Sequence, residues 1–453
     1  MRAKRQQHFL AYALLPLVAV PLLLAACLDS ITENQSEAFA EAAALEACSV
    51  TGKNRRIRNV MNSWYLYVDQ MPDRDPADFS SPQAMLEALM VNPPDRFSFL
   101  DDRERALSFT EEGRRIGLGL SLILVAEPDD YRVVEVIEGS PAAEAGMARG
   151  DRLLTINYRS VEDWFLNEGL GAAFGPDEEG VAVAISVRRP DGSEYSVKLQ
   201  KEEFPVDPVT ALSFFELDDG RTVAYFLFRS FIEPARDRLD EVFGQLQDAE
   251  VDELIVDLRY NGGGRVGVAE QLASQVGGES LVDEVFVRFV HNDARRDEDL
   301  AIRFSETVAS LGLERLVVVG TARTASASEL IINNLRPFME VDIIGERTFG
   351  KPVGSYAFEV CELLLFPVSF ALLNAEGEGD YFAGLPATCE AEDGLDSALG
   401  DEAEASLAQA LHFIDTGQCD VASAGLARER AAEAYRPEAG GREGWHPEQS
   451  IIR

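Results

Sequence analysis

The chain is predicted to be an α/β multidomain protein, with a helical N-terminal cap, a small β-domain and an α/β core whose sheet is largely parallel. Three observations predict it. Between residues 48 and 107, aromatic and apolar residues such as Trp64, Tyr65, Tyr67, Met85, Leu86, Leu89 and Met90 recur at helical spacing. Residues 116 to 204 hold short β-branched runs, "RVVEVIEG", "RLLTINYRS" and "VAVAISVRRP", separated by the turn signals "GMARGD" and "RPDGS". From about Val206, strands alternate with amphipathic helices at the spacing of βαβ units, the pattern of a parallel sheet.

The N-terminus comes first in chain order. Arg2, Lys4 and Arg5 precede an apolar stretch from Ala11 to Ala26, too short for a comfortable span, with small residues before Cys27. Residues 1–26 therefore read as an export signal. "LAAC" resembles a bacterial lipoprotein signal, which implies lipidation of Cys27 and a partner in the lipid bilayer. An uncleaved anchor is the alternative, and either leaves the body outside the cytoplasm, in the cell envelope, facing the periplasm or the exterior. By the same resemblance, Leu28 in place of an aspartate implies the outer membrane of a Gram-negative cell. Residues 27–47, acidic and Ala-rich without an apolar face, read as a tether, and residues 48–107 as the cap.

Outside the cytoplasm, the even set Cys48, Cys361, Cys389 and Cys419 reads as two disulfides rather than metal ligands. Three pairings are open to four cysteines. The one expected is Cys361 with Cys389, leaving Cys48 with Cys419 to tie the ends of the body together. No paired-cysteine metal spacing occurs, and His291, His412 and His446 stand in unrelated contexts. Neither a metal nor a cofactor is expected. With 79 Asp and Glu against 41 Lys and Arg, the chain repels nucleic acid, which is not expected as a partner.

Residues 108–205 form the β-domain. "GLGLSL", then a strand, then "GSPAAEAGMARGDRLLTINYRSV" resembles a PDZ domain. That resemblance implies that backbone amides at Leu118, Gly119 and Leu120 hold the terminal carboxylate of a peptide that adds as a strand. The alternative is a β-domain that packs and binds nothing.

Residues 206–420 form the core. "TVAYFLFRSF", "ELIVDLRY", "RLVVVGT" and "VDIIGERT" read as strands, and "ARDRLDEVFGQLQDA", "RVGVAEQLASQV" and "SASELIINNLRPF" as helices. "NGGGR" and "TARTASAS" both follow buried strands, so both face one crevice at the carboxyl ends of the sheet. "CELLLFPVSFALL" reads as one more strand-like run. Residues 421–453 lack periodicity and are predicted to be a flexible tail.

Ser326 to Glu329 fits a capping box. A serine at a strand-to-helix junction also stands where a helix dipole stabilises developing negative charge. A nucleophile needs a base, and no histidine is suitably related to this one. Lysine is scarce, yet Lys351 follows 25 residues on, between Gly350 and Pro352. An amine accepts a proton only when neutral, and apolar neighbours such as Phe349 and Val353 disfavour a charge.

"ELIVDLRYNGGG", "TASASEL" and "GERTFGK" resemble, in order and spacing, the C-terminal processing peptidases, also called tail-specific proteases. The resemblance spans roughly residues 50 to 375. It implies a crotonase-like protease core in which Ser326 is the nucleophile, Lys351 the general base, and Ser328 a helix-start residue. It also implies oxyanion donors at the Ala327 amide and at Gly263, with Gly264 the neighbouring candidate. The substrates implied are proteins or peptides with free C-termini.

Members of the resembled family commonly carry a glutamine four positions after the lysine, where this chain has Ser355, whose hydroxyl reaches less far. That departure favours one alternative, a catalytically silent, peptide-binding lipoprotein on the same fold. A crotonase-like thioester enzyme has no use for an export signal. Gly262, Gly264 and Gly267 also satisfy a dinucleotide fingerprint, which an exported, acidic chain makes a poor reading.

Overall fold

The computed structural model describes residues 46–125 and 130–420. The signal, Cys27, nearly all of the tether and the C-terminal tail lie outside the described residues.

The cap begins with helix α1 (Val50–Trp64), started by Ser49, whose hydroxyl accepts the Gly52 N–H. Helix α2 (Pro82–Leu89) is capped in the same way by Ser81, with proline at its first position. Their apolar faces meet through Ile57, Met61, Tyr65, Met85, Leu86 and Leu89, all fully buried. Strand β1 (Phe99–Asp102) and helix α3 (Arg103–Glu112) lead out of the cap, and α3 ends on Gly113 in the left-handed region.

The β-domain is entered through β2 (Arg114–Gly117) and left through β8 (Glu202–Pro205), which pair antiparallel as a two-stranded neck. Between them, β3 (Leu120–Leu124), β4 (Tyr131–Val136), β5 (Arg152–Ile156), β6 (Ala182–Arg188) and β7 (Glu194–Gln200) form one antiparallel sheet in chain order, with β3 as an outer strand. One face of this sheet is buried around Leu120, Leu122, Val133, Ile185 and Val187, a core separate from that of the rest of the chain.

The core sheet has the order β9 (Val209–Glu216), β10 (Thr222–Phe228), β11 (Glu253–Asp257), β14 (Arg315–Gly320), β15 (Glu340–Gly345) and β20 (Cys389–Glu390). Only the β9–β10 pair is antiparallel. Strands β10, β11 and β14 are almost continuously buried, as a sheet covered on both faces requires. Helices α4 (Ala235–Asp248), α5 (Val266–Gly277) and α6 (Ala327–Leu335) cover one face, and α7 (Ala405–Thr416) the other. No residue of α6 is exposed.

A second, antiparallel sheet runs β13 (Leu300–Arg303), β12 (Val285–His291), β19 (Val368–Leu373) and β16 (Val353–Ser355). The run "CELLLFPVSFALL" is two strands, not one. Pro367 has no N–H to continue a ladder, and it divides β18 (Leu363–Phe366) from β19. Strand β18 turns instead to the cap, pairing with β1 and with β17 (Phe358–Val360). The cap is thus completed from the far end of the chain.

This topology overturns the expected cysteine pairing. The disulfides are Cys48–Cys361 and Cys389–Cys419, not Cys361–Cys389 and Cys48–Cys419. Cys361 lies in the β17–β18 hairpin, which packs on the cap beside Cys48. Cys389 lies on β20, where the segment after α7 returns to the sheet.

Candidate active site

Ser326 occupies the turn between β14 and α6, with φ 56° and ψ −116°. A serine with positive φ is strained, and such strain gathers where a side chain must be aimed. The neighbouring backbone holds the turn in place. Thr324 Oγ1 donates to the Leu258 carbonyl at 2.8 Å, Ala325 N–H to the Asn261 carbonyl at 3.1 Å, and Ser328 Oγ to that same carbonyl at 3.0 Å. Ser328 is therefore engaged at the helix start, as expected of it. The Ser326 N–H is donated to Glu329 Oε2 at 3.0 Å, the backbone half of the capping box. The Ser326 hydroxyl approaches the Glu329 amide in box geometry without closing an ordinary hydrogen bond to it.

Lys351 follows β15 and is 3 % exposed. Its segment adjoins the serine turn directly, since Phe349 N–H is donated to the Thr324 carbonyl at 3.0 Å. Gly350 stands at φ 90°, where a Cβ would meet the Phe382 carbonyl oxygen at 2.4 Å. From the cap, Arg96 lies over the Phe349 ring, 4.4 Å from its centroid, and donates to the Phe349 carbonyl at 2.9 Å. The cap thereby backs the lysine segment.

Both segments converge on Glu329, which is fully buried. Its Oε1 accepts from Thr348 Oγ1 at 2.5 Å and Gly350 N–H at 2.6 Å, and its Oε2 accepts the Lys351 N–H at 2.8 Å. Burial pushes the Glu329 carboxyl above its ordinary range, against these bonds, which favour the carboxylate. Ordinary capping chemistry is all that the motif reveals of this residue.

The glycine loop lies against the serine. A Cβ at Gly263, φ 110°, would stand 2.7 Å from Ser326 Cβ and 2.9 Å from the Ala327 nitrogen. One at Gly264 would meet the Phe231 carbonyl oxygen at 2.4 Å. These glycines permit close approach of backbone to backbone, so no dinucleotide cradle is left between them. The Gly263 N–H is donated to Asn261 Oδ1 at 2.9 Å, while the Ala327 N–H donates to no described group. Asn261 is buried and anchored through Nδ2 to the Phe228 carbonyl at 2.9 Å.

The remaining expected residues fall elsewhere. Ser355, on β16, has its hydroxyl buried and without a hydrogen-bond partner, so it does not hold the lysine. His291 contacts Asp299 through Nδ1 at 3.0 Å and Tyr356 Oη through Nε2 at 3.1 Å. In the β-domain, Gly119 has φ 77° and packs against Ser140, and the N–H groups of Leu118 and Gly119 donate to no described group. Among the described residues, no cluster of His, Cys, Asp and Glu is arranged to hold a metal.

Comparison with known proteins accords with this arrangement. Residues 222–376 match peptidase family S41, residues 52–99 the peptidase S41 N-terminal domain, and residues 132–164 a PDZ domain. A carboxyl-terminal-processing protease of Picosynechococcus is 28% identical over 276 residues, covering 60% of this chain and 63% of that protein, under two thirds of its length. Carboxy-terminal processing protease CtpA of Bacillus subtilis is 23% identical over 380 residues, 83% of this chain and 76% of the relative. The crystal structure of a putative S41 protease from Bacteroides fragilis superposes with a TM-score of 0.64 at 25% identity, covering 80% of this chain and 97% of that one. With the S41 N-terminal domain, the PDZ domain and the S41 match following one another along the chain, and with its relatives so named, the chain belongs to peptidase family S41.

Proposed function

We propose that the protein is a serine endopeptidase that captures protein C-termini in its PDZ domain and cleaves peptide bonds with a Ser326–Lys351 dyad. Ser326 Oγ attacks the scissile carbonyl, while Lys351, as the neutral amine, takes the hydroxyl proton and later returns it to the leaving nitrogen. The Ala327 N–H meets the oxyanion at the α6 N-terminus. Gly263 joins it only by sharing or leaving its bond to Asn261. Leu118, Gly119 and Leu120 receive the substrate carboxylate. Cys27 carries a lipid that tethers the enzyme in the cell envelope, facing the periplasm or exterior, on the outer membrane where the cell has one.

The observation that carries the reading is the junction of the two segments on one buried carboxylate, Glu329. The orphaned Ser355 hydroxyl favours the rival, a peptide-binding lipoprotein without catalysis. One experiment separates them. The chain without its leader is incubated with an unfolded substrate bearing a free or an amidated C-terminus, beside Ser326→Ala and Lys351→Ala variants. Cleavage that depends on the free carboxylate and falls at least about 10³-fold in both variants supports the peptidase. Wild type cleaving no better than the variants leaves only the binding protein.

A further inference from the structure

Strand β3 is the outer strand of the β-domain, and its register fixes what its free side offers. Leu122 pairs with Val133. Val133 sends both its N–H and its carbonyl to the far side of β4, to Asp151 and Gly150, each at 2.8 Å. Facing residues of an antiparallel pair that do not bond each other both point outward, so the Leu122 N–H and carbonyl point to the open edge. A peptide whose carboxylate rests on the amides of Leu118 to Leu120 runs along that edge. About two residues in from its terminus, it needs the Leu122 carbonyl as acceptor.

That carbonyl is already taken. Arg323 Nη2 donates to it at 2.7 Å. Arg323 belongs to the core, three positions before Ser326 in the serine turn, where its own N–H is donated to Thr321 Oγ1 at 3.2 Å and Thr321 Oγ1 in turn donates to the Arg259 carbonyl. The β-domain is held at this distance by a separate joint. Arg149 reaches from it to Tyr260 Oη and Asp393 Oδ1, both at 2.5 Å.

We infer that Arg323 sets how tightly a C-terminus is held, by competing with the incoming strand for the Leu122 carbonyl. The inference rests on the reading of this groove as the C-terminus receptor. An entering peptide must replace a charge-assisted hydrogen bond with a neutral one, and the residue it displaces is part of the turn that carries Ser326. Arg323 thus tunes the affinity of the β-domain groove from a position in the core.

The test uses the leaderless chain carrying Ser326→Ala, so that peptide is bound and not cut. Fluorescence anisotropy follows a labelled, unstructured peptide ending in a free carboxylate, and its C-terminal amide. Adding Arg323→Ala or Arg323→Gln is expected to tighten the acid peptide about tenfold, equivalent to about 1.4 kcal/mol, while the amide stays weak throughout. Unchanged or weaker binding of the acid peptide by folded forms of both variants, with folding checked by melting temperature, overturns the inference and spares the receptor. Acid and amide binding alike in the parent and in both variants overturns the receptor reading, and the competition with it.

Discussion

The backbone N–H groups of Ser326 and Lys351 are donated to the same oxygen, Glu329 Oε2, at 3.0 and 2.8 Å. The oxygen belongs to the helix that begins after the serine, so the two segments are fixed to one rigid element. Glu329→Gln puts a donor where an acceptor is needed and leaves buried N–H groups unpaired, at about 1–3 kcal/mol each. The expected outcome is a fall in kcat of at least about 10²-fold with a smaller change in KM, because Ser326 and Lys351 lose their shared anchor while the β-domain is untouched. Steady-state kinetics on a cleavable peptide check this, and an unchanged kcat removes Glu329 from the site.

Gly263→Ala and Gly264→Ala separate chemistry from folding. The first sets a methyl group against Ser326 Cβ and the Ala327 nitrogen, and the second against the Phe231 backbone. Gly263→Ala is expected to lower kcat by about 10²–10³-fold, the range for a disturbed oxyanion site. Gly264→Ala acts mainly on the melting temperature. Equal effects of both on kcat and stability sink the distinction.

The Cys48–Cys361 bond is expected to contribute about 2–5 kcal/mol, since it closes a long loop in the unfolded chain. Cys48→Ser with Cys361→Ser should lower the denaturant midpoint accordingly. Peptide mapping without reductant should recover 48 linked to 361 and 389 linked to 419. Recovery of 361 linked to 389 contradicts the fold.

Acid should loosen the joint between the PDZ domain and the core. Burial opposes ionisation of Asp393, but Arg149 and Arg259 outweigh it and hold the carboxyl down at about 2. A depressed carboxyl stabilises the fold above its unfolded value of about 3.9, and that contribution is lost as pH falls from about 4 toward 2. It is on the order of 2 kcal/mol. Unfolding midpoints measured between pH 5 and 2 should fall more steeply for wild type than for Asp393→Asn. Parallel curves refute the assignment.

Much of this was legible before any coordinates. The alternation of "ELIVDLRY", "RVGVAEQLASQV" and "RLVVVGT" reads directly as β11, α5 and β14, because buried strands and amphipathic helices differ in period. Motif and spacing single out Ser326 and Lys351, whose segments the fold brings together on Glu329. What was not legible depends on which distant segments meet. The cysteine pairing failed because nothing local says that the hairpin at Cys361 folds onto the cap. Glu329 looked like a cap and no more, since its bonds to Gly350 and Lys351 cross from one strand end to the next. Arg323 carried no signal at all, for its partner is a backbone carbonyl 201 residues away.

The cap's disulfide also decides how the molecule carries load. Tension arriving along the chain from before Cys48 does not peel helix Val50–Trp64 from its first turn. It passes through the covalent bond into the hairpin at Cys361, ten residues beyond Lys351. The helix is bypassed, and such a pull is felt beside Lys351 rather than at the edge of the domain.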